Sequence, residues 1–367
     1  MSAPRLRLAL VAATFALALI AEPASLPSAL AQGATGTTSP AANAAPSQPL
    51  LLVLNKAEAT LSIIDPSTMR VVGRVPTGEG PHEVATSADG RLAYVTNYGG
   101  QKPGNSLSVI DLAAAKEVRR VDLGPLLRPH GIVERGGKIY FTAELARAIA
   151  RYDPATDKVD LIVGTGQNIT HMLVMHPQRP VVYTANILSD TATALELDKP
   201  EQPGPPPRVT QIKVGPRPEG IDISPDGKEL WVGHNDDGGV SVIDTETHKV
   251  KETLKVGGMP IRVKFTPDGR RVLISSPPTG ELTVLDAATR KEIKRLRLGQ
   301  PPAEGSPTGE VPIGVLITPD SRSAFVALTI VGKPGPGRVV RVDLERLEVA
   351  GNVETGQGPD GLGWAGK

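Results

Sequence analysis

The sequence has no cysteine, and aromatic side chains fill only 3% of its 367 positions. The first absence excludes disulfides, thiolate metal ligands, thioether-linked haem and a lipidated N-terminal cysteine. The second, with no basic groove studded by aromatics, leaves a single-strand nucleic-acid surface without support. Charge of one sign is not in excess either: the formal net charge is +1, so no general pull toward nucleic acid or anionic lipid is expected. There is no glycine-rich phosphate loop between a strand and a helix, and no Gly-x-Ser-x-Gly elbow, so neither nucleotide-dependent chemistry nor a serine nucleophile of that type is expected.

What is present is a short unit, repeated. In residues 215–256 a Gly215-Pro216 turn leads into the alternating apolar and polar run Gly220-Ile221-Asp222-Ile223-Ser224, the period-two mark of a half-buried strand. Pro225-Asp226-Gly227 reverses the chain, and further strands are expected at 229–233, 240–244 and 250–256. Four short antiparallel strands cannot hide both faces of their sheet, so copies must pack on one another. Equivalent inner strands begin near Glu83, Gly131, Met172, Gly220, Arg262, Gly314 and Gly361, a propeller-like spacing. An aspartate recurs where the third strands end: Asp65, Asp111, Asp153, Asp198, Asp244, Asp286 and Asp343. Its carboxylate is suited to accept backbone N–H groups of the next turn.

The expected fold is therefore an all-β, seven-bladed β-propeller over 50–367 with four antiparallel strands per blade. Residues 50–76 supply three strands without an inner one, and Gly361-Leu362-Gly363-Trp364 supplies an inner strand with nothing after it. Joined, they close the ring and leave no open edge. Ahead of it, residues 1–31 have the form of a signal peptide: Arg5 and Arg7, an apolar run over 8–20 too short to span a bilayer comfortably, and an Ala29-Leu30-Ala31 cleavage site. Residues 32–49 lack the bulky apolar side chains needed to fold and are expected to be a flexible linker. A periplasmic or secreted protein with no transmembrane anchor after cleavage is the expectation.

Tyr94-Val95-Thr96-Asn97 followed by Ser108-Val109-Ile110-Asp111 resembles the repeat of the YVTN seven-bladed propeller family, which includes YncE-like periplasmic proteins. Tyr183-Thr184-Ala185-Asn186 and Ser241-Val242-Ile243-Asp244 are fainter copies, and the resemblance spans 50–364. It implies the fold strongly and the function poorly, because similar propellers include lactonases, lyases, cofactor-bearing dehydrogenases and plain binding proteins. The tryptophan docking repeat of quinone-dependent propeller dehydrogenases is missing, since Trp231 and Trp364 are the only tryptophans.

In a blade whose strands alternate in direction, the residue entering each inner strand lies at one mouth of the channel. That ring reads His82, His130, His171, Glu219, Ile261, Ile313 and Asp360, with Glu83 and Arg262 following it. The loops between second and third strands bring Asn97, Glu144, Asn186, His234 and Asn235 to the same end. The expected metal ligands are His82, His130 and His171; imidazole with carboxylate suits Zn, Cu, Ni, Fe or Mn without choosing among them. Glu144 is expected to be a proton carrier, its carboxyl raised unless paired with Arg147 or Arg262. Glu219 and Arg262 complete the expected catalytic set, Arg262 either polarising a substrate or simply pairing with Glu219. Glu83, Asn97, Asn186, His234 and Asp360 are the expected ligand-binding groups.

Two functions follow from this set. One is an exported metal-assisted hydrolase or lyase, acting on a small carbonyl, ester or lactone. The other is a non-catalytic propeller that binds a metal, a small ligand or an envelope partner at the same face. A divalent metal is the expected cofactor, with no haem, quinone or nucleotide.

Overall fold

The computed structural model describes residues 48–197, 206–303 and 306–366. The expected signal peptide, all but the end of the linker, Asp198 and most of the 199–208 insertion lie outside these residues. The described chain forms seven sheets of four antiparallel strands, with one short 3-10 turn at Pro277–Thr279. It is a seven-bladed β-propeller. Among the described residues no helix is long and apolar enough to cross a membrane.

Blade 1 joins Leu50–Asn55, Thr60–Asp65 and Arg70–Pro76 to the C-terminal strand Pro359–Ala365. Leu51 pairs with Trp364 and Leu52 with Gly363, so the two ends of the domain share one sheet. Blades 2 to 7 follow in chain order, with inner strands Pro81–Thr86, Pro129–Arg135, Thr170–Met175, Pro218–Ile223, Arg262–Phe265 and Gly309–Ile317. Most begin two residues before the expected position, because the residue ahead of the ring side chain already pairs across the sheet: Pro81 with Asn97, Pro129 with Ala143, Pro218 with His234. In blade 7 the start lies further upstream, where Gly309 pairs with Val331 and two mouth insertions are zipped together.

The core lies between sheets rather than at the axis. Second and third strands are almost wholly buried, and their apolar side chains form clusters that each span two neighbouring blades, such as Tyr183 and Ala194 with Ile221 and Leu230. The pattern closes on itself: Leu51 and Val53 of blade 1 pack with Phe325 and Val339 of blade 7. Around the axis the inner strands approach so closely that a Cβ on Gly361 would strike the His82 carbonyl oxygen, and one on Gly314 that of Asp360.

The outer turns behave as anticipated for their carboxylates. Asp65 accepts the Ser67 N–H at 2.8 Å and Asp244 the Thr247 N–H at 2.8 Å; hydrogen bonds from Ser67 and Thr68 pull the Asp65 carboxyl down to about 2. Four residues after each aspartate the chain turns left-handed on a non-glycine residue, at Met69, Ala115, Asp157, His248, Arg290 and Leu347. That conformation costs energy. The aspartate bonds and the strand pairing hold it in place.

Candidate functional site

The ring side chains converge as the alternation requires. His82, His130 and His171 come from three successive blades, and their rings lie tilted against one another: centroids are 3.8 Å apart at 49° for the first pair and 3.7 Å apart at 34° for the second. His130, in the middle, is fully buried, and neither of its ring nitrogens has a hydrogen-bond partner. A buried polar atom left unpaired costs about 1–3 kcal/mol, so a whole orphaned imidazole calls for a ligand. Two sets of donors surround it, each with its ligand atoms within 4.8 Å of one another: His82, Glu83 and His130, and His130, Glu144 and His171.

The flanking histidines differ from it and from each other. His171 Nδ1 is 2.5 Å from Glu144 Oε1, and its Nε2 is 3.6 Å from Glu219 Oε1. Burial works against its charged form, but the bonds to Glu144 and Glu219 prevail and push its pKa up to about 9. Glu219 is correspondingly pulled down to about 2: burial resists, and His171, Arg262 and Asn235 outweigh it. His82 accepts a hydrogen bond at Nε2 from the Lys56 ammonium at 2.7 Å, which leaves its ring proton on Nδ1, 3.4 Å from Asp360 but not aligned to bond it. Burial, then the Lys56 charge, keeps His82 well below the ordinary range. Burial and the neighbouring His171 and His82 do the same to His130. Two neutral imidazoles thus stand beside one cationic imidazole.

Arg262 sits deeper, almost wholly buried. Its Nη2 lies 2.6 Å from Glu83 Oε1 and 3.4 Å from Asp360 Oδ1, and its Nη1 is 3.6 Å from Glu219 Oε1. The expected pairing with Glu219 is therefore the weakest of three, and the main partner is a carboxylate on the far side of the channel. So placed, the guanidinium organises three carboxylates. Burial raises Glu83 despite Arg262 beside it. Beneath lies a channel cavity of about 230 Å3, lined by Glu83, Arg262, Lys264, Met172 and Phe265.

Glu144 is paired neither with Arg147 nor with Arg262: its second oxygen accepts the Tyr98 hydroxyl at 2.7 Å. Asn97, Asn186 and His234, expected to be ligand-binding, instead close the strand ends. Asn97 Oδ1 accepts the Gly78 N–H and its amide donates to Ser106 and Ser108; Asn186 donates to Thr191 and Thr193; His234 Nε2 accepts the Gly215 N–H. The position one residue later faces the mouth. There stand Lys56, Tyr98, Glu144 and Asn235 in blades 1, 2, 3 and 5, touching His82, Glu144, His171 and Glu219 respectively. Lys56 and Tyr98 were missed by the sequence reading. Aligning Asn55-Lys56 with Asn97-Tyr98 would have found both.

A family model described as "YNCE-like beta-propeller" matches residues 3–132. The match covers about a third of the chain, and the seven blades closed by the chain ends agree with it in fold. The chain is similar to YncE-like propellers. A second model, "Cytochrome D1 heme domain", matches residues 131–311. Comparison with curated proteins finds no match. Among solved structures, "Dihydro-heme d1 dehydrogenase NirN in complex with DHE" is 18% identical, with 86% of this chain and 77% of that one covered and a TM-score of 0.59. The hydrazine synthase of Kuenenia stuttgartiensis is 18% identical over 83% of this chain and 99% of that one, with a TM-score of 0.63. A functionally unknown protein from Desulfotomaculum acetoxidans is 12% identical over 85% and 98%, with a TM-score of 0.68.

The haem-domain match overturns the expectation that no haem is involved. The absence of cysteine excludes thioether attachment only; a non-covalent haem needs a nitrogen or oxygen donor to iron, and the channel mouth carries three imidazoles. The donor chemistry fits. A cavity of about 230 Å3 is below the roughly 300–1,000 Å3 of ordinary ligand pockets, so the channel itself does not fit a macrocycle.

Proposed function

We propose that the chain is an exported propeller whose channel mouth holds one divalent metal ion, with His130 as the shared ligand and His82 and a carboxylate completing the set. The observation that carries this reading is the orphaned, fully buried His130 imidazole between two donor groups. A metal there would polarise a substrate carbonyl. The protein's own contribution is proton transfer: the charged His171, paired with Glu144 and buttressed by Tyr98 and Glu219, can give up a proton and take it back during ester or lactone hydrolysis, or eliminative C–O cleavage. Arg262, within reach of Glu83, Glu219 and Asp360, holds the three carboxylates together beneath the mouth. A panel of lactones and esters, assayed with and without added divalent metal, tests it. Metal-dependent turnover lost at least a hundredfold in Glu144→Gln is expected; turnover indifferent to both metal and the substitution contradicts it.

The haem-domain likeness favours a second reading, a tetrapyrrole held at the mouth. His130 or His82 would supply a nitrogen ligand to the iron, and Lys56 and Arg128, which both approach the Tyr98 ring, would meet its carboxylates. The bound iron would supply ligation and redox chemistry that the side chains lack. Haemin titration followed in the Soret region separates the two: a saturable shift lost in His130→Ala supports the tetrapyrrole, and no shift excludes it.

A further inference from the structure

At the opposite end of the propeller, blades 7 and 1 leave a cavity of about 520 Å3, within the size range of small-molecule pockets. Its walls include Phe325 and Trp364, whose rings lie 6.2 Å apart and stack at 25°, with Pro49, Pro66 and Pro319 adding flat apolar surface. Arg341 stands beside Phe325, its direct partner across the sheet. Two features ask for an acceptor. Trp364 Nε1 is buried without a partner. The Arg341 guanidinium makes one hydrogen bond, from Nε to Ser323 Oγ at 3.2 Å, and among the described residues no carboxylate lies within ion-pair distance of it. Asp320, the acid in the wall, is already engaged by the Thr318 hydroxyl and the Arg322 N–H, and Asp343, whose carboxyl the Arg341 charge helps to lower, accepts the Glu345 and Arg346 N–H groups.

We propose that this seam is a second binding site, for a small aromatic carboxylate. A planar ring would lie against Trp364, which the fully buried Phe325 backs, and against the proline faces, where offset stacking adds to apolar burial. Its carboxylate would take the free N–H groups of Arg341, the fork that matches a carboxylate in two parallel bonds, and is the acceptor Trp364 lacks. Because the site bridges the sheet that closes the ring, occupancy would also stabilise the whole domain by mass action.

The chain has two tryptophans, and the other, Trp231, is fully buried in blade 5 with its Nε1 donating to Glu229 at 3.1 Å. Fluorescence of a Trp231→Phe variant therefore reports on the seam alone. Benzoate is the probe; benzyl alcohol lacks the charge and cyclohexanecarboxylate lacks the aromatic ring. The proposal predicts saturable quenching by benzoate, weakened tenfold or more by Arg341→Gln, as expected for losing a charge-assisted pair worth roughly 1.5–3 kcal/mol, and weaker binding of both controls. Should Trp231→Phe fail to fold, calorimetric titration of the native chain against Arg341→Gln gives the same comparison. Absent or non-saturating quenching, or equal affinity in Arg341→Gln, overturns the site, and equal binding of benzyl alcohol overturns the carboxylate assignment.

Discussion

Three imidazoles in van der Waals contact, only one of them charged, define the mouth at the residue scale. Lys56 occupies the position a cation would take beside His82, 2.7 Å from its Nε2 and 3.7 Å from Asp360. Removing that ammonium in Lys56→Met should tighten divalent-metal binding several-fold in a titration; unchanged affinity would take His82 out of the ligand set. The His171 ion pair makes a separate prediction about pH. Its folded pKa of about 9 lies above the unfolded 6.5, so the stability it contributes is complete below pH 6.5 and is lost as pH rises through about 9. His82 and His130 act in the other sense, costing stability only as pH falls below 6.5, where the unfolded chain takes up their protons. Metal-free protein should therefore lose denaturant stability between pH 7.5 and 9.5 more steeply than Glu144→Gln does; parallel curves would remove the charged His171. Some of this was legible from the chain and some was not. The alternation of each inner strand placed His82, His130 and His171 at one end. It could not show that His171 is held by two carboxylates, or that Arg262 reaches Glu83 across the channel, because those contacts depend on how blades distant in sequence meet.

At the scale of the strand, the decisive feature is register. Near the end of a second strand, Asn97 or Asn186 turns back to cap its own blade, whereas the following position, as at Tyr98 or Glu144, faces the mouth. Sequence pattern gave both positions the same loop, and a one-residue difference decides which is structural. The inner strands carry a comparable constraint. At Gly361 an added methyl would meet the His82 backbone, which has no slack to move. Gly361→Ala should lower the melting temperature by about 5 °C or more, from roughly 1–3 kcal/mol of overpacking, and should weaken metal binding through Asp360 and His82. A melting temperature within a degree of the parent would show that the inner strands are looser than described.

For the whole molecule, closure joins residues some 300 positions apart, and it was readable because the two ends supplied complementary parts of one blade. Deleting 360–367 removes the inner strand of blade 1 and uncovers Leu51 and Val53, so it should cost far more than loss of a frayed tail. A truncated protein melting within a degree or two of the full chain would contradict the closure. The same ring gathers side chains from blades 1 to 6 around one buried imidazole without any covalent crosslink. Metal analysis of extensively dialysed protein, after saturation with divalent ions, tests that arrangement most directly. One equivalent retained by the native chain and lost in His130→Ala is the predicted result; equal, substoichiometric metal in both would contradict it.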